Sequence, residues 1–293
     1  MAESKTKRAP AAGSLFVVAT PIGNLEDMTF RAVALLKKVN LVIAEDTRRT
    51  GRLLKHFDIK TAVCAMFEHN EKAMIPQLVT RLEQGARMAL VSDAGTPTMS
   101  DPGYRLIKAV VERQIPVIPI PGVSAAVAAL SVSGLPTNQF TFIGFAERKH
   151  SRLKKELNQL AVEPRTLIFF ESPKRIIRLM QTMITVWGDR TALLAREMTK
   201  MHESYCRGPL SEIIRQFEKL PMIKGECTLV VAGATLKTPG LSEKELDQLL
   251  YAHVSQAKKP LSALVHELAV ELDISKNVLY SKALVIQSEI KKK

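Results

Sequence analysis

Cysteine is scarce: Cys64, Cys206 and Cys227 are widely separated, odd in number, and form no C-x-x-C pair. That spacing suggests neither a disulfide framework nor a thiolate zinc site, and it suits a reducing cytoplasm. The six histidines are scattered. The nearest approach to a zinc motif, His266-Glu267, runs on into Leu268, Ala269 and Val270 and so lacks its second histidine. No metal is expected. A long hydrophobic run is missing too, because the uncharged stretch over residues 115–134 is broken by Pro116, Pro119, Pro121 and Gly122. No membrane partner is expected. Residues 1–13 are polar and basic without the apolar centre of a signal peptide, and are expected to form a disordered basic tail. Both common phosphate-binding fingerprints are absent. Ala19-Thr20-Pro21-Ile22-Gly23-Asn24 stands where a dinucleotide fold would place G-x-G-x-x-G, and no G-x-x-x-x-G-K-[ST] occurs.

What is present is an α/β chain with a strong positive charge. At 293 residues and 46% hydrophobic content, it can build two domains of ordinary size and a small appendage. The 42 Lys and Arg against 29 Asp and Glu leave +13, which favours a polyanionic partner through counterion release. The charge is clustered at Arg48, Arg49, Arg52 and Lys55, and again at Arg148, Lys149, Arg152, Lys154 and Lys155. The second cluster reads equally as a solvated helix face.

Apolar strands are expected at residues 15–19, 41–44, 88–92 and 116–120, with helical patterns at 29–39, 50–56, 74–84 and 103–113 between them. Such alternation argues for a parallel sheet flanked by helices. A second set follows: helices at 125–130, 151–160 and 174–186, strands at 140–144, 166–170, 192–196 and 227–232, with antiparallel pairing expected among the later strands. The expected domains are therefore 14–120 and 121–234, with a cleft between them. The Pro-Gly segment 235–240 reads as a linker. Beyond it, 241–290 is expected to be a helical, helix-turn-helix-like domain, with Ser275 capping its last helix. A plain three-helix appendage is the alternative.

Three stretches, Leu15 to Leu25, Val91 to Gly103 and Pro119 to Ala126, each pass from an apolar run through Pro, Gly, Asp, Ser or Thr into a helical pattern. Small residues there leave backbone amides uncovered at the carboxyl ends of parallel strands, where ligands approach. With AEDTRRT, SDAGTP and PGVSA together, and with EHNE, FIGF, FFESPKR, AREMTKMHE and KGECTLVV in the expected order, the chain resembles the tetrapyrrole methylase superfamily of S-adenosylmethionine enzymes. The likeness is to the branch that methylates small-subunit ribosomal RNA. It implies two α/β domains of tetrapyrrole methylase type with an interdomain cofactor cleft, a C-terminal helix-turn-helix segment, S-adenosyl-L-methionine as cofactor, and a homodimer. It also implies 2′-O-ribose methylation of a cytidine in the decoding region of small-subunit rRNA. The rival readings are a relative acting on a tetrapyrrole or a protein, and a non-enzymatic nucleic-acid-binding regulator.

Carried over by motif, the resemblance implies cofactor contacts from Thr20, Pro21, Asp93, Gly95, Thr96, Pro97, Ser124 and Ala125, and from Phe170, Glu171, Arg196 and Gly225 in the second domain. Asp93 would accept from the methionine ammonium, or else form an Asx-turn. Ser124 would meet the carboxylate, or simply cap a helix. Phe170 would pack on adenine, or fill core. Glu197, Glu226 and Lys224 are the candidates for handling the hydroxyl proton, with surface ion pairing as the alternative. Arg48 and Arg49, in a polar cluster with Glu45 and Asp46, read as phosphate clamps. Asn70, beside His69 and Glu71, joins that RNA face or caps a helix.

Overall fold

The computed structural model describes residues 13–219, 225–235, 243–256, 259–272 and 276–292. The first half is a wholly parallel sheet of β1 (Ser14–Val18), β2 (Leu41–Ala44), β3 (Val63–Ala65), β4 (Arg87–Val91) and β5 (Val117–Ile120), in the order β3-β2-β4-β1-β5. Its connections include α1 (Phe30–Leu36), α2 (Thr47–His56), α3 (Glu71–Glu83) and α4 (Tyr104–Glu112). The pleat sorts the strand residues by parity. Phe16, Val18, Val42, Ala44, Ala89 and Val91 pack with α1 and α2, whereas Leu15, Leu41, Ile43, Met88 and Leu90 pack with α3 and α4. Helices on both faces bury every residue of β2, which is why it reads as a continuous apolar run.

The second sheet holds β6 (Phe140–Phe145), β7 (Thr166–Glu171), β8 (Thr191–Arg196), β9 (Ser204–Pro209) and β10 (Cys227–Val231), in the order β6-β7-β10-β8-β9. Only β6 and β7 pair in parallel; the other three pairings are antiparallel. One face packs on α6 (His150–Leu160), α7 (Pro173–Trp187) and α8 (Leu210–Glu218). The other receives α5 (Ala125–Ser131) together with Ile22 from the β1 loop and Met198 after β8. That shared apolar cluster joins the loops of the first sheet to the second, and the ligand cavity opens above it.

The expectations assign no element between Arg196 and Cys227, where β9 and α8 lie, and they omit the three-residue β3. Gly13, expected in the tail, belongs to the fold: its amide donates to the Leu82 carbonyl at 2.8 Å. The rest of the tail, most of the 235–240 linker, Lys224 and the turn holding Ser275 lie outside the described residues.

The chain divides into two compact units between Ala234 and Thr235. Taken by itself, the C-terminal unit is three helices, α9 (Glu243–Gln256), α10 (Leu261–Leu272) and α11 (Lys276–Lys292), around Leu246, Leu250, Val265, Leu268, Leu279 and Ala283. Lys282 ties α11 to α9 through Glu243 at 3.0 Å and Asp247 at 3.1 Å. No helix among the described residues is long and apolar enough to cross a membrane, and none of their His, Cys, Asp and Glu side chains group to hold a metal ion.

Candidate functional site

The three loops read from the sequence are stitched together at the carboxyl ends of β1, β4 and β5. Thr20 and Gly95 exchange backbone hydrogen bonds, each 2.9 Å long. The Thr20 hydroxyl donates to the Ser92 carbonyl at 3.2 Å, and the Thr96 hydroxyl to the Val123 carbonyl at 3.1 Å. These threonine hydroxyls therefore brace the loops.

Between the loops and the second sheet lies a cavity of about 350 Å³, a size suited to a small-molecule ligand. Asp93, Gly95, Thr96, Ser124 and Ala125 line it from the first half, and Phe170, Glu171, Gly225 and Glu226 from the second. Thr20 and Pro21 instead line an adjoining cavity of about 280 Å³ that continues past Arg49, Arg52 and Lys200. Pro97 is buried in its loop, and Arg196 reaches Ser204 at 3.3 Å; neither lines either cavity. Phe170 meets both of its readings. It packs edge-on to Phe142 at 5.0 Å within the core cluster and also faces the cavity.

Charge inside the cavity is opposite to that of the chain. Glu45, Asp93, Asp101, Glu171 and Glu226 line it against a single guanidinium, Arg49. Asp93 accepts from the Asp46 amide at 3.1 Å and pairs with Arg49 at 3.3 Å. Burial, with Asp93 nearby, raises the Glu45 carboxyl above its ordinary value. Burial also pushes Asp101 up to about 6, with the carboxylates of Glu45, Asp93 and Glu226 adding to it. The Cys227 thiol in the same lining is pushed up to about 12 by burial, so it stays protonated and inert.

The carboxylates of the second sheet are tied to cations. Glu171 is buried and takes the Arg175 guanidinium through both of its oxygens, one at 2.7 Å, and also the Ser172 amide at 2.6 Å. Glu197 accepts from Lys200 at 2.8 Å and from the Glu226 amide at 2.9 Å, while Glu226 shares Lys200 at 3.3 Å. Burial works to raise the Glu197 carboxyl, but the Lys200 ammonium and the Glu226 amide outweigh it and leave the pKa lowered. Gly225 must be glycine here: its φ is +105°, and an added Cβ would stand 2.2 Å from the Glu197 carboxylate.

At the rim, Asp46 caps α2 by accepting from the Arg48 amide at 2.8 Å, and it binds the Arg48 guanidinium at 2.7 Å. The Arg48 side chain nevertheless stays largely exposed, as does that of Arg49. Asn70 is consumed locally: it accepts from the Phe67 amide at 2.8 Å and donates to the Ala65 carbonyl at 3.1 Å, shaping the turn from β3 into α3. The sequence reading missed Asp101, Met99 and Phe145 in the lining. Asp101 sits in Ser-Asp-Pro-Gly, which reads as ordinary turn chemistry.

Two linked α/β halves with a ligand cavity at the strand ends define the class. The profile of the tetrapyrrole (corrin/porphyrin) methylases matches residues 14–214, and the chain belongs to this family. Within it, the chain is 43% identical over 272 residues to ribosomal RNA small subunit methyltransferase I of Streptococcus pyogenes serotype M1, a match covering 92% of this chain and 94% of the relative. It is likewise 43% identical over 280 residues to the protein of that name from Synechocystis, covering 94% and 99%. Among solved structures, the fold resembles uroporphyrin-III C-methyltransferase from Thermus thermophilus, complexed there with S-adenosylhomocysteine. The TM-score is 0.53 at 17% identity, over 74% of this chain and 96% of that one.

Proposed function

We propose that the protein is an S-adenosyl-L-methionine-dependent methyltransferase that methylates the ribose 2′-oxygen of a cytidine in the decoding region of small-subunit rRNA. The observation that carries this reading is the inversion of charge across the site. Five carboxylates and Arg49 line the cavity, while Arg49, Arg52 and Lys200 line the adjoining one and Arg48 stands exposed next to Arg49 on α2, in a chain of net +13. An acidic, half-apolar cavity fits a cationic sulfonium bearing an ammonium and an adenine, and a basic rim fits an RNA backbone. The names of the relatives supply the ribosomal substrate.

When bound, the cofactor supplies an electrophilic methyl group. Asp93 would hold its ammonium, and Ser124 and the amide of Ala125 would meet its carboxylate. Phe170 and Ile22 would cover its apolar surface, and Gly95 and Gly225 would leave it room to approach. Arg196 and Pro97 support the two walls. Arg48 and Arg49 would hold phosphates, and Asn70 fixes the turn carrying the exposed Phe67. Glu197 and Glu226 hold Lys200 in the lining of the adjoining cavity, and together with Lys224 these groups would handle the proton of the reacting hydroxyl.

We further infer domain limits at 14–120, 121–234 and 241–290, a cytoplasmic location, and a homodimer. Almost fully exposed Phe30 and Met201 are the side chains a second copy would cover. The three-helix unit adds grip on RNA through exposed residues such as Lys276, since Lys282 is already paired within it. A chain ending at Ala234 should keep cofactor affinity and lose affinity for the small subunit; unchanged affinity for both ends the RNA role of the helices.

The test is transfer of tritiated methyl from the cofactor to bare rRNA, assembled small subunits and cell protein. Label is expected in an alkali-stable dinucleotide beginning with cytidine, because a 2′-O-methyl group blocks cleavage at its own phosphodiester. Label confined to protein, tetrapyrrole or a nucleobase overturns the proposal, and binding without transfer to any acceptor favours a regulator.

A further inference from the structure

Strands β6 and β7 run parallel, with Phe145 level with Phe170, so the chain leaves both strands at the same end. The loop after β6 therefore stands beside Glu171 and Ser172, at the wall of the cofactor cavity. Between that loop, the start of α6 and Arg175 on α7 lies a groove of about 770 Å³. Phe145, Glu171 and Ser172 line both the groove and the cavity, so the two are continuous.

The fold of α6 sorts the second basic cluster of the sequence. Leu153 and Leu157 are buried in the core, and the Trp187 indole donates to the Leu157 carbonyl at 2.7 Å, which fixes the helix about its axis. Arg148 and Lys149 ahead of the helix and Arg152 in its first turn then line the groove, whereas Lys154 and Lys155 border other hollows of the surface. Two carboxylates line the groove with them. Glu171 is already bound by Arg175, which also donates to the Ala146 carbonyl at 3.1 Å and so pins the loop. Glu147 is left against three cations, Arg148, Lys149 and Arg152, all exposed and none in an ion pair among the described residues. Glu156, one turn beyond Arg152, accepts instead from the Glu147 amide at 3.1 Å. A solvated helix face draws such charges into i,i+4 pairs; here they converge unpaired on a groove that opens into the cofactor cavity. Exposed Phe145 stands at the junction, edge-on to Phe170 with ring centroids 6.0 Å apart. Unpaired cations beside a presented aromatic ring are the means by which proteins hold single-stranded nucleic acid, phosphates on the cations and a base on the ring.

We propose that this groove holds the single-stranded RNA flanking the target nucleotide, with Arg148, Lys149 and Arg152 on its phosphates and a base stacked on Phe145, an inference that rests on the RNA-methylation reading above. Arg48 and Arg49 rise from α2 in the first half of the protein, and the groove belongs to the second. The strand thus passes from one half to the other, and the target nucleotide is held across the cavity mouth between two sets of cations. The groove supplies binding and takes no part in the chemical step.

The test uses the full chain with an Arg148→Ala, Lys149→Ala, Arg152→Ala triple variant, and a Lys154→Ala, Lys155→Ala double variant as the control on the same helix. Binding to bare small-subunit rRNA and to assembled small subunits is followed across a salt series, and affinity for S-adenosylmethionine by calorimetry. The triple variant should bind RNA on the order of ten- to a hundredfold more weakly at about 0.15 M salt, with a salt slope shallower by about two units, as expected for three phosphates of a single strand. Its cofactor affinity should stay within about threefold of wild type, and its loss in turnover should fall on KM for RNA rather than on kcat. The control should keep its slope within about half a unit of wild type. Phe145→Ala should weaken RNA binding about tenfold with an unchanged slope, and Phe145→Trp should restore it. An unchanged slope in the triple variant overturns the proposal, as does an equal loss in the control, which would make the effect one of net charge. Binding that falls for assembled subunits but not for bare rRNA puts a protein component of the subunit in the groove and overturns it too. A Phe145→Ala variant that loses cofactor affinity instead of RNA affinity overturns the stacking. Wild type that transfers methyl to no RNA overturns the RNA reading and this inference with it; wild type that labels RNA beside a triple variant of unchanged slope overturns this inference alone.

Discussion

The two walls of the cavity use the same residue types in opposite states. On the parallel-sheet wall, Glu45 and Asp101 are half-buried carboxyls with raised pKa, and Asp93 meets one exposed arginine. On the other wall, Glu171, Glu197 and Glu226 are each bound to a cation. The difference follows from topology. Parallel strands all deliver their carboxyl ends to one edge, so the loops after β2 and β4 crowd Glu45, Asp93 and Asp101 together there with few cations. In the mostly antiparallel sheet, two of the three carboxylates find their partner locally, Arg175 four residues after Glu171 and Lys200 three after Glu197, and Glu226 shares that lysine.

If that contrast holds, the largest stability effect comes from the second wall. Glu171→Gln should destabilise the fold by about 2–4 kcal/mol in denaturant unfolding, because it strands a partly buried guanidinium. A change below about 0.5 kcal/mol would erase the distinction between the walls. The first wall should answer in binding instead. Asp93→Ala removes a charge-assisted hydrogen bond and should weaken cofactor affinity by about 1.5–3 kcal/mol by calorimetry, with little change in Tm; unchanged affinity removes Asp93 from the site. At the rim, the Arg48→Ala, Arg49→Ala double variant should keep cofactor affinity yet bind small-subunit RNA more weakly, with a salt slope shallower by about one unit for each phosphate no longer neutralised. An unchanged slope makes the pair structural, holding Asp46 and Asp93. The smallest effect is expected from Glu226→Gln, whose exposed pair with Lys200 should cost less than about 1 kcal/mol of stability.

Much of the fold was legible because its strands are short apolar runs ending at small or turn residues, as in β1, β4 and β5. What escaped has physical reasons. β3 is only three residues long. β9 alternates half-buried and exposed residues through Ser204-Tyr205-Cys206-Arg207-Gly208-Pro209, and its Gly-Pro end resembles a turn. α8 carries a helical stripe of Leu210, Ile213, Ile214 and Phe217, a signal legible in the sequence itself. In the site, the motif residues Asp93, Gly95, Thr96, Ser124, Phe170 and Gly225 do share one cavity, whereas Arg196, Pro97 and Glu197 do not line it.

The sequence by itself determined the alternation of strands and helices, the three ligand loops, the positive balance and the family, because these depend on local pattern and on residue identity. Which carboxylates are free was decided only in three dimensions. Proton affinity depends on burial and on charges brought from other strands, and no spacing along the chain states that Asp101 faces Glu45, Asp93 and Glu226.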